Sequence, residues 1–463
     1  MATFESFIRT FDDNSNIKGN QFEHFVKWFL ANDPEWSTQV DTVWLWKDWP
    51  ENWGPDCGID LIFKQKLTGE TWAVQAKCYD VEHSITKHDV DKFLSESNRK
   101  VIDKRLLIAT TDNIGKNARQ VCRAQEKLVV PHLYSAFELA GIEYPDSIIE
   151  IGDAKVKELP TPYRYQEKAI KDVKEGFDRS DRGQLIMACG TGKTYTTLWI
   201  KEALKSKTTL VLVPSLSLLS QTLKEWTSSA NRQFHALCVC SDETVGKKTY
   251  DETISSVQDV SFPTTSEPTV IKEFLEYDAD KVIFSTYHSS PAIAEAQETT
   301  SIEIDLVIAD EAHRCTGELG SVFTTILDQS LIKAKRRLFT TATPRTYSTS
   351  LKKKASERGI EVSGMDDESI FGPVFHKLGF SAAINHTPQL LTDYQVVIVG
   401  VNEPMIASWI KNRELVRTNS GETTNAKSLA SQLGLIKAIK DYSLKRMISF
   451  HSRVKSAEKF ATE

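Results

Sequence analysis

One octapeptide limits what this chain can fold into. Met187-Ala188-Cys189-Gly190-Thr191-Gly192-Lys193-Thr194 closes an apolar run at 184–188 and opens a segment of helical pattern. A glycine-rich turn between a strand and a helix lets backbone N–H groups curl around a phosphate, and the helix N-terminus adds its dipole. Lys193 has the reach for β- and γ-phosphates, and Thr194 offers a hydroxyl to Mg²⁺. The strict form of the pattern has glycine where Met187 stands. A plain turn ahead of a helix would use the same residues, so a second signal has to decide.

That signal is the run 304–309, which ends in Asp310-Glu311-Ala312-His313. An acidic residue at the C-terminal end of a central strand faces the phosphate loop in open parallel sheets. Asp310 is expected to hold Mg²⁺, and Glu311 to orient and deprotonate an attacking water. Strand-like runs at 184–188, 209–213, 235–240, 281–286, 305–309 and 337–341 are mostly separated by helical segments. Such alternation predicts a doubly wound parallel sheet. Residues 241–278 are polar and read as loop-rich. The expected nucleotide site is Gly190, Thr191, Gly192, Lys193, Thr194, Asp310, Glu311 and His313, with ATP and Mg²⁺ as cofactors.

Together these motifs resemble superfamily 2 helicases, specifically the DEAH-type motors of restriction enzymes. Thr340-Thr341-Ala342-Thr343-Pro344-Arg345 is similar to their motif III. The resemblance implies that Thr341, Ala342 and Thr343 couple hydrolysis to lobe movement. Tyr163-Arg164-Tyr165-Gln166 resembles the adenine-reading Q motif, and the Gln166 amide has the chemistry to pair with N6 and N7 of adenine. Val213-Pro214-Ser215 and Ser285-Thr286-Tyr287-His288 resemble backbone-contacting motifs, which implies that Ser215 and Thr286 touch DNA. Residues 394–401 and 447–450 read as strands with a helix at 428–442 between them, and 448–453 resemble motif IV, the start of a second lobe. Nothing after Arg453 matches the later motifs that supply arginine fingers, which contribute about 10³–10⁵ in rate in related NTP hydrolases. The expectation is a fragment with an incomplete second lobe, binding ATP–Mg²⁺ but turning it over slowly.

The first 150 residues have another rhythm. Phe22, Phe25, Val26, Phe29 and Leu30 recur at helical spacing. Strand-like runs follow at 43–46, 59–63 and 71–76, the last two flanking a turn at 66–70. A helix near 89–94, a strand at 106–110, a helix at 116–125 and a strand at 128–132 complete a small mixed α/β domain. Asp60 and Lys77 then lie near the ends of adjacent hairpin strands, and Gln75 and Lys77 face one side. Phosphodiester hydrolysis needs a metal to supply hydroxide and neutralise charge. Asp60 with Gln75 is a candidate Mg²⁺ pair, Glu23 on the preceding helix a third ligand, and Lys77 the group that orients water. The bland alternative is a surface hairpin whose Lys77 pairs with Asp60 or Glu70. Asp56-Cys57-Gly58-Ile59-Asp60 with Gln75-Ala76-Lys77 resembles the Mrr-like form of PD-(D/E)xK nucleases, which implies catalytic roles for Asp60, Gln75 and Lys77.

The expected layout is an endonuclease domain at 1–150, a linker at 151–162, a RecA-like ATP-binding lobe at 163–375 and the start of a second RecA-like lobe at 376–463. Nuclease then motor resembles single-chain type I (type ISP) restriction–modification enzymes. That resemblance implies ATP-driven travel along double-stranded DNA, with methyltransferase and target-recognition domains as partners. Two alternatives stay open. One is the motor subunit of a multi-subunit type I system, or an antiviral or repair helicase–nuclease. The other is a nucleotide-dependent DNA-binding or assembly module without turnover.

Composition trims the remaining classes. Net charge is −6, and residues 1–150 carry 17 basic against 24 acidic side chains. A domain of that balance does not grip DNA by charge alone. Basic clusters occur at 333–337 and 352–354; most such runs are solvated faces. The seven cysteines form neither a CxxC pair nor a disulfide frame. No run approaches membrane-helix length, and a cytoplasmic setting is expected. The tryptophans at 44, 46, 49 and 53 and the pair Cys238 and Cys240 read as packing residues.

Overall fold

The computed structural model describes residues 3–55, 58–153, 155–156, 158–240, 260–318, 322–348, 362–394, 415–417 and 423–450. The chain divides into two compact units. One runs through Leu391 and the other begins at Thr392.

The first unit begins with α1 (Phe4–Ile8) and α2 (Ser15–Asn32). Asn14 caps α2 by accepting from the Asn16 and Ile17 N–H groups. The predicted apolar face of α2 is fully buried, packed with Phe4, Phe7 and Phe137. It covers one side of a five-stranded sheet: β1 (Val40–Leu45), β2 (Leu61–Gln65), β3 (Thr71–Lys77), β4 (Lys104–Ala109) and β5 (Val129–His132), in that order. The β1–β2 and β2–β3 pairs are antiparallel, whereas β3–β4 and β4–β5 are parallel. A parallel pair needs a crossover. These are α3 (Lys87–Glu96), whose N-terminus is closed by a Thr86–Asp89 capping box, and α4 (Lys116–Arg123). Trp46 and Trp49 are buried in the second core with Val90 and Phe93, as expected of packing residues. α5 (Tyr134–Glu138) is followed by β6 (Ile142–Glu143), which pairs antiparallel with β7 (Lys155–Val156), so the first part of the expected linker at 151–162 belongs to the small domain.

The larger domain follows: α6 (Arg164–Phe177), β8 (Arg182–Met187), α7 (Lys193–Ala203), β9 (Thr208–Val213), α8 (Leu216–Ser229), β10 (His235–Val239), β11 (Thr264–Thr265), α9 (Pro268–Glu276), β12 (Lys281–Thr286), α10 (Ser290–Glu298) and β13 (Leu306–Asp310). β14 (Gly317–Glu318) pairs with β16 (Val362–Ser363), and β15 (Arg337–Thr341) and β17 (Val374–Leu378) complete the strands. Eight of them form a parallel sheet in the order β11-β10-β12-β9-β13-β15-β8-β17. Its central strands β12, β9 and β15 are buried along their length, as in a sheet covered by helices on both faces, while the edge strands β11 and β17 are part-exposed.

Three expectations need correction. The stretch at 241–278 is not all loop. Pro268 at the first turn and Ile271, Phe274 and Leu275 on one face build α9, a short amphipathic signal that the polar surroundings hide. The proposed boundary at 375/376 falls inside β17, which pairs with β8 and so continues the first lobe's sheet. The strand expected at 447–450 is absent: Ile448 and Phe450 are 84% and 88% exposed with no ladder partner. Among the described residues, the second unit holds the antiparallel pair β18 (Leu415–Arg417) and β19 (Thr423–Asn425) and the helix Ala426–Tyr442. The expected strand at 394–401 lies, after Tyr394, outside the described residues, as do His451, Ser452 and Arg453.

The basic cluster before β15 is not a free cationic face. Arg337 is buried, its guanidinium donating to the Ile326, Ile332 and Ala334 carbonyls and to Gln329. Lys335 pairs with Asp305 at 2.7 Å. Residues 352–354 are outside the described set.

The small domain is seated on the large one. Gln39 Nε2 donates to the Ala236 carbonyl at 2.7 Å, and the Trp36 and Phe262 rings lie 6.2 Å apart. Glu35 is buried at this seam, and burial first, with Asp33 adding to it, pushes its carboxyl up to about 8 against the pull of Lys224. The native state therefore keeps a proton that an unfolded chain releases in the ordinary carboxylate range. Stability is expected to fall as pH rises from about 4.5 through 8. Melting temperatures taken across pH 5–9 should slope down in the wild type and flatten in Glu35→Gln; parallel slopes would refute the assignment.

Candidate functional site

The first candidate site sits at the carboxyl ends of β8, β13 and β15. Gly190 and Gly192 both adopt left-handed backbone, with φ of 81° and 73°. A Cβ on Gly192 would lie 2.5 Å from Gln166 Nε2, so that position is closed to side chains by conformation and by space. Thr191 is buried and ties the loop to the Ala188 carbonyl at 2.7 Å. Lys193 opens α7 and reaches across the strand ends. Its Nζ stands 2.9 Å from Asp310 Oδ1 and 2.9 Å from Glu311 Oε1. Burial alone would lower the Lys193 ammonium, but the two facing carboxylates outweigh it and hold its pKa above the ordinary lysine value.

Glu311 adopts φ of 50°, unusual for a residue with a side chain. The turn aims its carboxylate back at Lys193 and at the motif carried by β15. His313 Nδ1 lies 3.3 Å from Glu311 Oε2 and 3.0 Å from Thr341 Oγ1. Burial lowers the imidazole's pKa, against the attraction of Glu311. The Thr341 hydroxyl also lies 3.5 Å from Glu311 and accepts from the Thr343 N–H at 3.2 Å. Thr341 thus bridges the acidic turn and the strand-end loop, with Ala342 buried beside it.

Gln166 is 3% exposed. Its Nε2 contacts the Thr191 and Gly192 carbonyls at 3.3 and 3.4 Å, and its Oε1 accepts from the Tyr163 N–H at 2.9 Å. The amide therefore braces the phosphate loop. Ser215 caps α8 by accepting from the Leu218 N–H at 3.3 Å. Thr286 is buried and donates to Ser289 at 3.1 Å. Both hydroxyls are engaged locally.

Three residues of this site carried no role in the sequence reading. Thr340 Oγ1 donates to Asp310 Oδ1 at 2.7 Å, because β15 sets Thr340 beside Asp310. The Tyr287 hydroxyl donates to the Asp310 carbonyl at 2.7 Å, and the Tyr165 hydroxyl to the Thr191 carbonyl at 3.1 Å. All three lie in motifs already singled out; only strand order and helix packing assign the contacts.

The second candidate site lies in the small domain. The β2–β3 register pairs Leu61 with Val74, so Asp60 falls opposite Gln75. Asp60 Oδ2 accepts from the Ala76 N–H at 2.7 Å. Gln75 is 3% exposed; its Nε2 donates to the Gly58 carbonyl at 3.1 Å, while its Oε1 is buried with no hydrogen-bond partner. A buried oxygen without a donor suits a cation. Glu23 on α2 faces the same group. Burial first, then the Asp60 charge, raises its carboxyl to about 7, with Lys47 and Lys77 pulling the other way. The hairpin register thus sets Asp60 opposite Gln75, and the charges of Asp60 and Lys77 both act on the Glu23 carboxyl. Glu70, the alternative partner for Lys77, instead pairs with Lys104 at 2.8 Å. Among the described residues no three His, Cys, Asp or Glu side chains cluster as a metal site; the set here is two carboxylates and an amide oxygen. Asp56 and Cys57 are outside the described residues.

Comparison with known proteins follows this division. Residues 31–152 match a restriction endonuclease family, Mrr_cat_2, and residues 159–346 match the family of type III restriction enzyme res subunits, ResIII. The solved structure of the ATP-dependent type ISP restriction–modification enzyme LlaBIII bound to DNA is similar over 95% of this chain and 28% of that chain, at 30% identity and a TM-score of 0.75. The probable helicase A859L of African swine fever virus is 27% identical over 272 residues in one isolate, 58% of this chain and 28% of the relative. In another isolate it is 33% identical over 194 residues, 42% and 20% of the two chains. The chain spans less than a third of the length of these relatives. No helix among the described residues is long and apolar enough to cross a membrane. The chain thus joins a restriction endonuclease domain of the Mrr_cat_2 family to a helicase domain of the ResIII family, an arrangement similar to that of a type ISP restriction–modification enzyme.

Proposed function

We propose that the chain is the nuclease and motor part of an ATP-dependent restriction enzyme acting on double-stranded DNA. The observation that carries this reading is the Lys193–Asp310–Glu311 cluster at the strand ends, on the same chain as the Glu23–Asp60–Gln75–Lys77 group. Residues 1–150 act as the endonuclease domain, and the ATP-binding lobe begins at 163. The similarity to LlaBIII, a DNA-bound type ISP enzyme by its description, supports DNA as the substrate. Methyltransferase and target-recognition domains would be partners of the chain.

Residues of both sites fit ATP and Mg²⁺. Gly190, Thr191 and Gly192 leave N–H groups for phosphates, and Lys193 exchanges its two carboxylates for phosphate oxygens. Thr194 and Asp310 would hold Mg²⁺ beside them, with Thr340 fixing the Asp310 oxygen. Glu311, released from Lys193, orients water and takes its proton. His313 and Thr341 hold Glu311 and pass its movement to Ala342 and Thr343. Gln166 would pair with adenine, giving up its contacts to the Thr191 and Gly192 carbonyls. Ser215 and Thr286 lie at loops expected to follow the DNA backbone. In the nuclease domain Asp60, Gln75 Oε1 and Glu23 hold Mg²⁺, and Lys77 orients the attacking water. The metal, when bound, neutralises charge on the phosphate and lowers the pKa of water.

Two measurements test this reading. Purified protein should bind ATP in the presence of Mg²⁺ and should nick duplex DNA in a Mg²⁺-dependent manner. Absence of nucleotide binding would remove the motor assignment, and metal-independent nicking would remove the nuclease assignment. Glu23 adds a pH signature. Its carboxyl must lose a proton near neutrality to take a cation, so Mg²⁺ affinity at this site should rise about fivefold from pH 6 to 7, reach about tenfold by pH 8 and level off above that. Calorimetric titration at several pH values reads this. A flat profile, or a slope that survives Glu23→Gln, would exclude Glu23 as a ligand.

A further inference from the structure

α8 touches both sites' supports. At its N-terminus stands Ser215. Near its C-terminus the fully buried Trp226 donates its indole N–H to the Thr194 carbonyl at 3.1 Å, directly behind the phosphate-loop lysine. Two residues earlier, Lys224 reaches into the other domain and its Nζ donates to the Ala136 carbonyl at 3.3 Å. Lys224 is also the leading charge acting on three buried groups of the nuclease domain: Asp33, Glu35 and His132.

Those groups are not loose. Asp33 Oδ1 accepts from the Glu35 and Trp36 N–H groups at 3.0 and 3.1 Å. Trp36 Nε1 donates to His132 Nδ1 at 3.1 Å. Asp33 is the residue that ends α2, and α2 carries Glu23 ten positions earlier. Ten helical residues span roughly 15 Å. Packing at the seam is close: a Cβ on Gly141 would lie 2.9 Å from Ser228 Cβ of α8 and 2.9 Å from Pro34 Cγ. This close packing, with the Lys224–Ala136 hydrogen bond beside it, fixes how the two domains are placed.

We propose that α8 couples the nucleotide site to the nuclease domain, with Lys224 as the positioning residue that holds the nuclease domain on it. This rests on the ATP-binding reading above. The path runs from Thr194 through Trp226 to Lys224, then through the Ala136 carbonyl and the close packing of Gly141 on Pro34 to the end of α2, which carries Glu23. A change at the N-terminus of α7 on nucleotide binding moves α8, and Lys224 transmits that movement because it bridges both domains.

Hydrogen–deuterium exchange of the whole chain, with and without ATP–Mg²⁺, tests the proposal; nucleotide binding is measured separately on the same samples. In the wild type, nucleotide should slow exchange at least threefold in residues 33–39, far from the phosphate loop in sequence. Lys224→Met should lose that response while binding nucleotide within twofold of the wild type, and Lys224→Arg should keep it. Gly141→Leu, a wedge from the nuclease side, should lose it as well, and decides the matter if Lys224→Met fails to fold. An unchanged response in these disrupting variants, or none in a wild type that binds nucleotide, overturns the coupling alone. A wild type that binds no nucleotide overturns the ATP-site reading and the coupling with it.

Discussion

Lys193→Ala is expected to reduce ATP hydrolysis by about 10²–10³-fold, the effect of removing one preorganised charge from a site where charge develops. The argument rests on what Lys193 contacts. Its ammonium lies 2.9 Å from two carboxylates that belong to adjacent residues. Without it, Asp310 and Glu311 face a mostly buried space with no cation between them, and a like-charged pair in such a site is destabilising. Two outcomes follow in one sample. Nucleotide-free protein should melt at a lower temperature than wild type. Added Mg²⁺ should then raise the melting temperature of the variant more than that of the wild type, since a divalent ion replaces the lost charge. Lys193→Arg should not restore turnover, because a planar guanidinium cannot occupy the space of a compact ammonium. A melting curve and an ATPase rate both equal to wild type would show that the cluster is a structural ion pair only.

Much of this arrangement is legible in the sequence, for specific reasons. Gly190 and Gly192 mark left-handed backbone that few other residues adopt, and the run ending in Asp310 has the continuous apolarity of a strand covered on both faces. Local pattern therefore locates the two halves of the ATP site. It cannot say which strands are neighbours. Thr340 holds Asp310 because β15 lies between β13 and β8, and that order is a property of the assembled sheet. Arg337 reads as part of a basic surface run, yet its position on the same central strand buries it. Gln166 reads as an adenine contact, yet α6 packs against α7 and turns the amide onto the phosphate loop. In the small domain the hairpin and its alternation are plain, so Gln75 and Lys77 fall on one side. The depth of Gln75 is not plain, and that depth is what leaves its Oε1 without a donor. Asp33, Glu35 and Lys224 carry no motif at all; only the docking of one domain on the other gives them a function.

Asp60→Asn should abolish Mg²⁺-dependent DNA cleavage, by about 10²–10³-fold or more, while leaving nucleotide binding at wild-type strength. Asparagine keeps an oxygen that can accept from the Ala76 N–H, the contact that Asp60 Oδ2 makes at 2.7 Å, so the hairpin should stay folded. What disappears is the negative charge. Glu23 should respond, because Asp60 is the leading charge holding its carboxyl up after burial itself. The pH at which the small domain takes up Mg²⁺ should move downward in Asp60→Asn, and its limiting affinity should fall with one carboxylate gone. Lys77→Ala separates the two roles: cleavage should fall by a similar factor, but Mg²⁺ affinity should stay near the wild-type value, since a lysine ligates no metal. If both variants lose metal binding equally, Lys77 organises the hairpin instead of the water. If both retain cleavage, the metal-dependent centre lies elsewhere on the chain, and the unpartnered Gln75 oxygen is a packing defect instead of a ligand.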